Sequence, residues 1–561
     1  MPRRRWQLQP GAFFSECRLR RNPCCGRALW PCAQYGAGKA LSRAISSFNQ
    51  RKSCNMAEKT DQKTVRQPAQ DPAKGKLGFK LLPAGIALAL ALLIAFAIPV
   101  PQGVTPRAWH LLAMFVGVIA AIIGKAMPIG ALSMVAITLV AVTGVTADAP
   151  ENAIKDALSS FANPLIWLIG ASIMISRGLL KTGLGARIGY FFIALFGRKT
   201  LGIGYSLALS ELLLAPVTPS NTARAGGIIH PVMKAIAASY DSDPEKGTQG
   251  RMGRYLALVN YHGNPISSAM FITATAPNPL VVDIVAKATN SSIKLSWGTW
   301  ALAMLLPGLA AMLLMPLALY WLYPPEIRET PNAAAFAKER LAELGPMNRG
   351  EKIMLAIFAL LLALWAGVPA HIGGPAWAVD ATATAFIGLS LLLLTGVLSW
   401  EDVLKEKSAW DTITWFAALV MMATFLNKLG LIAWFSHMLE SGISHLGLGW
   451  AGAASLLVLA YLYAHYMFAS TTAHITAMLG AFYAAGIALG APPMLFALLM
   501  AAASSLMMTL THYATGSSPV IYGSGYTTLG EWWKAGFAMS VLNLLVFTLI
   551  GGVWWKALGY W

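Results

Sequence analysis

The stretch "APVTPSNTARAGGIIHP" (residues 215–231) decides how the rest of the chain is read. Three prolines, a Ser-Asn-Thr triplet, an arginine and a Gly-Gly pair interrupt segments that are otherwise apolar. Before it, 201–214 is apolar; after it, the chain is weakly apolar to about 240. Neither arm reaches the ~20 residues an α-helix needs to cross a ~30 Å hydrocarbon core. The pattern predicts a re-entrant helical hairpin over 201–240. Irregular backbone at membrane depth is tolerated only where it is buried in protein or lines a cavity.

Composition supports a membrane setting. The 561 residues are 56% hydrophobic and 12% charged, with a mean hydropathy of +0.58. A soluble chain carries about 25% charged residues. Runs such as "LLPAGIALALALLIAFAIPV" (81–100) and "AMLLPGLAAMLLMPLALYWLY" (303–323) are long enough to span a bilayer. The net charge of +18 does not read as a nucleic-acid footprint: residues 1–55 hold eleven Lys/Arg against one acid, Glu16. The remaining excess is spread over loops, as expected of cytoplasm-facing basic residues. All five cysteines (Cys17, Cys24, Cys25, Cys32, Cys54) also fall in 1–55, without a second Cys/His pair at metal spacing. Residues 1–55 are therefore expected to be an extension outside the folded unit. They read as sequence upstream of a start at Met56 or as an Arg-rich targeting segment. Residues 56–77 read as a polar, disordered tail.

Scaffold helices 1–3 are expected in 78–162, near 81–101, 108–124 and 127–147. A first repeat core, 163–323, holds a span at 163–181, an interfacial piece at 187–197, the hairpin 201–240, a broken helix 255–290 and a span at 299–323. The break is "TATAPNPL" (273–280), where two prolines flank Asn278 and remove backbone donors. A cytoplasmic loop and scaffold helices follow in 324–409, with spans at 353–370 and 376–398. The pattern then returns. Trp167 and Lys181 are echoed by Trp415 and Lys428, Ser220 by Ser470, and Thr275 by Thr515, in the same order. This second repeat core, 410–561, holds a hairpin at 449–490, a broken helix at 493–530 interrupted by "ATGSSPVIYGSG" (514–525), and a last span at 535–557. Five spans separate the hairpins (255–290, 299–323, 353–370, 376–398 and the echo at 415–431), so the second enters from the opposite face. The fold expected is an all-α polytopic membrane protein of about 11 transmembrane helices plus two re-entrant hairpins in an inverted-topology repeat. Secondary transporters are often built this way, with the substrate site at the midplane.

Ser220, Asn221 and Thr222 can cap the returning arm of the first hairpin, and Ser470, Thr471 and Thr472 that of the second. The free N–H groups of each arm then face the tip with partial positive charge, which suits an anion. Two such poles fit a substrate with a negative group at each end, a dicarboxylate. The alternative is that each triplet only caps a turn. The breaks would add Thr275 and Asn278 from one half and Thr515, Ser517 and Ser518 from the other. Arg224 is costly in a bilayer, about 2.5–3.5 kcal/mol, unless it faces water or an anion. It either binds a substrate carboxylate or pairs with Glu211. His230, His262, His465, His474 and His512 lie near the same elements and read mainly as structural. No HExxH, Walker A or GxSxG motif is present, so no enzyme chemistry is expected, and no cofactor or resident metal.

The motifs "TPSNTARAGGII", "TAPNPL", "FASTTAH" and "THYATGSSPVIYGSGY" resemble those of the divalent anion:sodium symporter superfamily, over about 78–561. The likeness is greatest to its citrate/succinate-type antiporters and 2-oxoglutarate/malate translocators. The resemblance implies a homodimer that moves di- and tricarboxylates by an elevator motion, in a bacterial inner membrane or a chloroplast envelope. It maps the family's Ser-Asn-Thr motifs onto Ser220–Thr222 and Ser470–Thr472. The family's helix breaks fall on Thr275–Asn278 and Thr515–Ser518. Where sodium-coupled members have Asn, this chain has Thr471 and Ser518. That favours sodium-independent exchange over sodium-coupled symport; an anion channel or membrane-embedded enzyme is the remote alternative.

Overall fold

The computed structural model describes residues 78–561; the extension 1–55 and the tail 56–77 lie outside the described residues. Those described are helical throughout, with no β-strand among them. Among the described residues, six helices are long and apolar enough to cross a membrane: Pro106–Ile123, Pro164–Thr182, Thr200–Val217, Trp297–Leu322, Lys407–Lys428 and Leu529–Ala557. Shorter apolar helices accompany them, among them Leu81–Ala97, Ile129–Thr143 and Ala381–Leu394. Large apolar side chains such as Phe96, Val142, Leu313, Leu394 and Val553 point outward. An apolar surface of that extent is stable against lipid and not against water.

Two series of elements repeat. The first runs from Pro164–Thr182 through Leu184–Phe196, the hairpin arm Thr200–Leu214 and a tight turn at Ala215–Val217. It returns along Thr222–Ile229 and His230–Ser239, then continues as Gly253–Met270, a turn at Ile272–Ala274, Asn278–Ala288 and the closing helix Trp297–Leu322. The second runs Lys407–Lys428, Leu431–Ser444, Trp450–Ala464, a turn at His465–Met467, then Thr471–His474, Ile475–Leu479 and Gly480–Ala488. It ends with Pro493–Leu506, a turn at Met507–Thr509, Ser518–Tyr522 and the closing helix Leu529–Ala557. The closing helices of the two halves are joined where Trp554 and Trp555 donate their ring N–H to the carbonyls of Leu302 and Ala303, both at 2.8 Å.

Local chemistry explains the boundaries. Asn163 accepts the Leu165 N–H and Pro164 takes the first helical position, where its missing N–H costs nothing. Gly183 (φ 79°) and Gly430 (φ 84°) stop the corresponding helices in the left-handed conformation that glycine adopts without strain. Both returning arms contain a wide, π-type stretch, Thr222–Ile229 at the start of the first and Ile475–Leu479 after the opening turn Thr471–His474 of the second. In the first, Pro231 has no N–H for the carbonyl four residues back, which loosens the winding. Nothing in the sequence explains the second.

Three helices fall where the sequence suggested loop or left a gap: Pro150–Leu158, Pro331–Glu343 and Leu431–Ser444. The second is charged outside but buries Ala333 and Ala337 against Leu184–Phe196. An alanine face gives too weak a hydropathy signal to stand out. Arg187 anchors the same junction. Its guanidinium donates to both oxygens of the buried Glu351 (2.6 and 3.1 Å) and to the Gly345 carbonyl at 2.9 Å. Charge-assisted bonds of this kind contribute about 1.5–3 kcal/mol. Arg187→Ala is expected to lower the melting temperature of the purified chain, with Arg187→Lys recovering only part; an unchanged melting temperature would show the junction to be superfluous.

Candidate functional site

The two hairpin tips are built alike. Ser220 accepts the Ala223 N–H at 3.2 Å and Ser470 accepts the Ala473 N–H at 3.3 Å, so each serine caps its returning arm. The first N–H groups beyond each cap have no partner inside their own helix. Asn221 is buried; its amide N–H approaches the Met508 sulfur at 3.2 Å, and its carbonyl oxygen is buried without a partner. The counterpart Thr471 donates its hydroxyl to the Ala514 carbonyl at 3.2 Å. Thr472 is buried, whereas Thr222 is exposed.

The first tip lies against the second break. A Cβ placed on Gly516 would sit 2.3 Å from the Thr222 hydroxyl oxygen, and one on Gly226 would sit 3.2 Å from Val520. Gly516 thus permits a close approach that a Cβ would force apart, and Gly226 one that a Cβ would tighten. Tyr261, from the first broken helix, ties the halves together: its hydroxyl pairs with Ser518 Oγ at 2.7 Å and also reaches the Met508 carbonyl. Ser505 donates to Asn278 Oδ1 at 3.1 Å.

These contacts sort the candidate residues. Thr222 and Asn221 of the first tip, behind the Ser220 cap, meet the second break at Gly516 and Met508, and Thr471 of the second tip meets it at Ala514, next to Thr515. Ser470 caps beside them. Asn278 donates to the carbonyls of Ser268 and Phe271 (2.7 and 2.9 Å), and Ser518 also receives the Thr515 N–H at 3.2 Å. Both hold the breaks in shape. Thr275 is buried in the first break, and Ser517 Oγ is buried without a partner in the second.

Arg224 requires a correction. Its side chain is fully buried. Nε donates to Glu211 at 2.5 Å, Nη1 to the carbonyls of Thr218 and of Ala274 (2.7 Å), and Nη2 to Ser267 and Ser268 at 3.3 and 3.1 Å. A guanidinium has five N–H donors, and all five are engaged. None is left for a substrate carboxylate, so Arg224 is a structural strut between the first tip and the first broken helix. Glu211 also accepts from Asn264 at 2.6 Å.

Sequence reasoning passed over His465 as an element of the site. Its Nε2–H donates to the Ala514 carbonyl at 3.2 Å, and its Nδ1 lies 3.0 Å from Nδ1 of His474. Ala514 follows Ala274 by the same interval as Thr515 follows Thr275. In each half, then, the carbonyl just before the break receives a side-chain N–H: Arg224 at Ala274, His465 at Ala514. The signal available in sequence was the placement of His465 five residues before the second Ser-Thr-Thr triplet.

A cavity of about 710 Å³ opens on the second break, lined by Tyr466, Met467, Ala469, Tyr513, Thr515 and Gly516, with Ile123 and Lys125 across from them. Larger hollows of about 810 and 730 Å³ have mainly apolar walls, with Arg107, His110 and Asp148 in the first and Arg198 and Lys199 in the second, and neither is lined by a tip residue. Among the described residues, no three His, Cys, Asp or Glu side chains gather at metal-binding spacing.

Paired broken helices and capped tips, repeated in two halves of an apolar helical chain, define the class of protein as a membrane transporter of the broken-helix, repeated-core type. The chain belongs to the family described as the sodium:sulfate symporter transmembrane region, whose profile matches residues 80–561. It is 48% identical over 482 residues, 86% of this chain and 97% of the relative, to YflS of Bacillus subtilis (strain 168), named as a candidate malate transporter. It is 44% identical to dicarboxylate transporter 1, chloroplastic, of Arabidopsis thaliana, covering 88% of this chain and 86% of that one. It is 35% identical to an L-tartrate/succinate antiporter of Shigella sonnei (strain Ss046), covering 83% and 96%. Its fold matches MtrF of Neisseria gonorrhoeae with a TM-score of 0.52 at 12% identity, over 78% of this chain and 96% of that one.

Proposed function

We propose that this protein exchanges one dicarboxylate for another across a bacterial inner membrane, without sodium, as a homodimer whose two repeat cores move as an elevator. Support for the substrate class comes from the two capped tips, each presenting free N–H groups, and from the malate, dicarboxylate and tartrate/succinate descriptions carried by the relatives. The main observation behind sodium independence is the state of the two carbonyls before the breaks. Unwound carbonyls at such breaks are what coupling cations use in repeat-built transporters. Here the Arg224 guanidinium takes the Ala274 and Thr218 carbonyls, and His465 takes Ala514. A donor N–H on each of those oxygens competes with an alkali cation for the same lone pairs. Thr471 and Ser518, in place of amide-bearing Asn, also remove two amide carbonyl ligands.

The sodium in the family's description favours a second reading, sodium-coupled symport. Transport in proteoliposomes separates the two. With the full chain reconstituted, labelled succinate should enter vesicles loaded with malate at the same rate in sodium and in choline, and should not enter empty vesicles. Accumulation in empty vesicles driven by a sodium gradient would establish symport and refute exchange.

A further inference from the structure

The cavity on the second break has one wall from outside the two repeats. Ile123 and Lys125 come from the turn joining Pro106–Ile123 to Ile129–Thr143, and Lys125 is the charged side chain of a lining whose other titratable groups are His512, Tyr466 and Tyr513. His512 is bonded at Nδ1 by the Trp533 ring N–H at 3.2 Å. Lys125 is exposed and makes no ion pair among the described residues.

Its backbone gives an independent reason to single it out. Lys125 has φ +51°, in the left-handed region. Its N–H bonds the Ile122 carbonyl at 3.0 Å, and the Ala126 N–H bonds Ala121 at 2.9 Å. That pairing closes a helix end at the position where glycine or asparagine is the usual occupant. The other non-glycine residues with positive φ among those described are Asp241, Asn290 and Ser291, all short and polar. A long cationic side chain therefore occupies a strained position facing the cavity on the second break. Strain of this kind persists only where the surrounding structure over-determines it, and such residues cluster at ligand sites.

We propose that Lys125 is the entry cation of the substrate cavity, raising the apparent affinity for a dicarboxylate on one membrane face only. The inference rests on the exchange reading above. A dianion near an unpaired cation at the mouth of a low-dielectric cleft is attracted before it reaches the tips. Because Lys125 belongs to the helices ahead of the first repeat, moving the repeats would part it from Thr515 and Gly516, so only one face has its help. Lys80 lies at the same end and shares a neighbouring hollow with Lys125, but it does not line the substrate cavity.

The test is succinate exchange by the full chain in right-side-out and inside-out vesicles. Lys125→Asn removes the charge and installs a residue that tolerates the left-handed conformation, so its melting temperature should not fall. It is expected to raise the apparent KM on one face by roughly three- to tenfold at low ionic strength, with maximal rate and the other face unchanged. The increase should shrink in high salt. Lys125→Arg should behave as the unaltered protein, and Lys80→Gln should leave both faces unchanged. An unchanged KM for Lys125→Asn, an equal rise on both faces, or an equal effect of Lys80→Gln would overturn the proposal while leaving exchange intact. Absence of exchange in the unaltered chain would instead remove the reading beneath it.

Discussion

Replacing Arg224 by alanine is expected to destabilise the protein by about 3–5 kcal/mol, the largest stability loss anticipated for any single side chain. The substitution leaves Glu211 buried with only Asn264 and Ser267 as hydrogen-bond donors. It also frees the carbonyls of Thr218 and Ala274 at the junction of tip and break. An uncompensated buried carboxylate is far costlier than the pair it came from. Glu211→Gln combined with Arg224→Met, which removes both charges, should therefore be markedly less damaging than Arg224→Ala alone. Thermal unfolding of the purified chain measures this ordering. A second readout separates strut from surrogate cation. If the guanidinium stands where a cation would otherwise sit, the pocket left in Arg224→Ala combines a carboxylate with two carbonyls and two hydroxyls. Sodium should then raise the melting temperature of that variant and not of the unaltered protein. Equal melting temperatures for Arg224→Ala and the unaltered chain would show that the buried network contributes little.

The second large effect concerns transport rather than folding. Gly516→Ala places a methyl carbon 2.3 Å from the Thr222 hydroxyl oxygen, far inside contact distance. Thr222 is β-branched and stiff at χ1: one of its two other rotamers turns the methyl into the same place and the other gives up the hydroxyl's position at the tip, so either way the junction of tip and break is altered. Gly516 itself is exposed, so the global fold has room to tolerate the change. Exchange is expected to fall by two orders of magnitude or more, since misplacing positioned groups by about 1 Å costs roughly a hundredfold. The melting temperature should hold. Gly530→Ala, where an added Cβ meets nothing within 4 Å, is the matched control. Normal exchange in Gly516→Ala would show that tip and break need not touch during transport.

The tips and helix breaks were visible in the sequence for a physical reason. A hairpin tip or a break inside a membrane must carry proline, glycine and small hydroxyl residues, and such residues stand out against an apolar background. Ser220–Thr222, Ser470–Thr472 and the two breaks were legible on that ground. What each polar group bonds to was not. Arg224 lies next to the Ser-Asn-Thr triplet in sequence, yet its side chain runs toward Glu211 and the first broken helix. Chain proximity carries no information about that direction. His465 remained hidden because a lone histidine in an apolar stretch looks the same whether it packs or donates to a carbonyl. Pro331–Glu343 was missed because an alanine face gives no strong periodic signal, whereas Leu431–Ser444 carries Leu431, Trp434, Phe435, Met438 and Leu439 at helical spacing and was passed over because it is too short to span.

Equilibrium binding to the purified chain tests the central claim, that two capped tips cradle a dianion with no help from sodium. Succinate titrated calorimetrically into the protein in choline buffer should bind, with a Kd that sodium leaves unchanged, whereas butyrate, with one carboxylate, should bind at least tenfold more weakly. Succinate binding that appears only when sodium is added, or butyrate binding as tight as succinate, would contradict it.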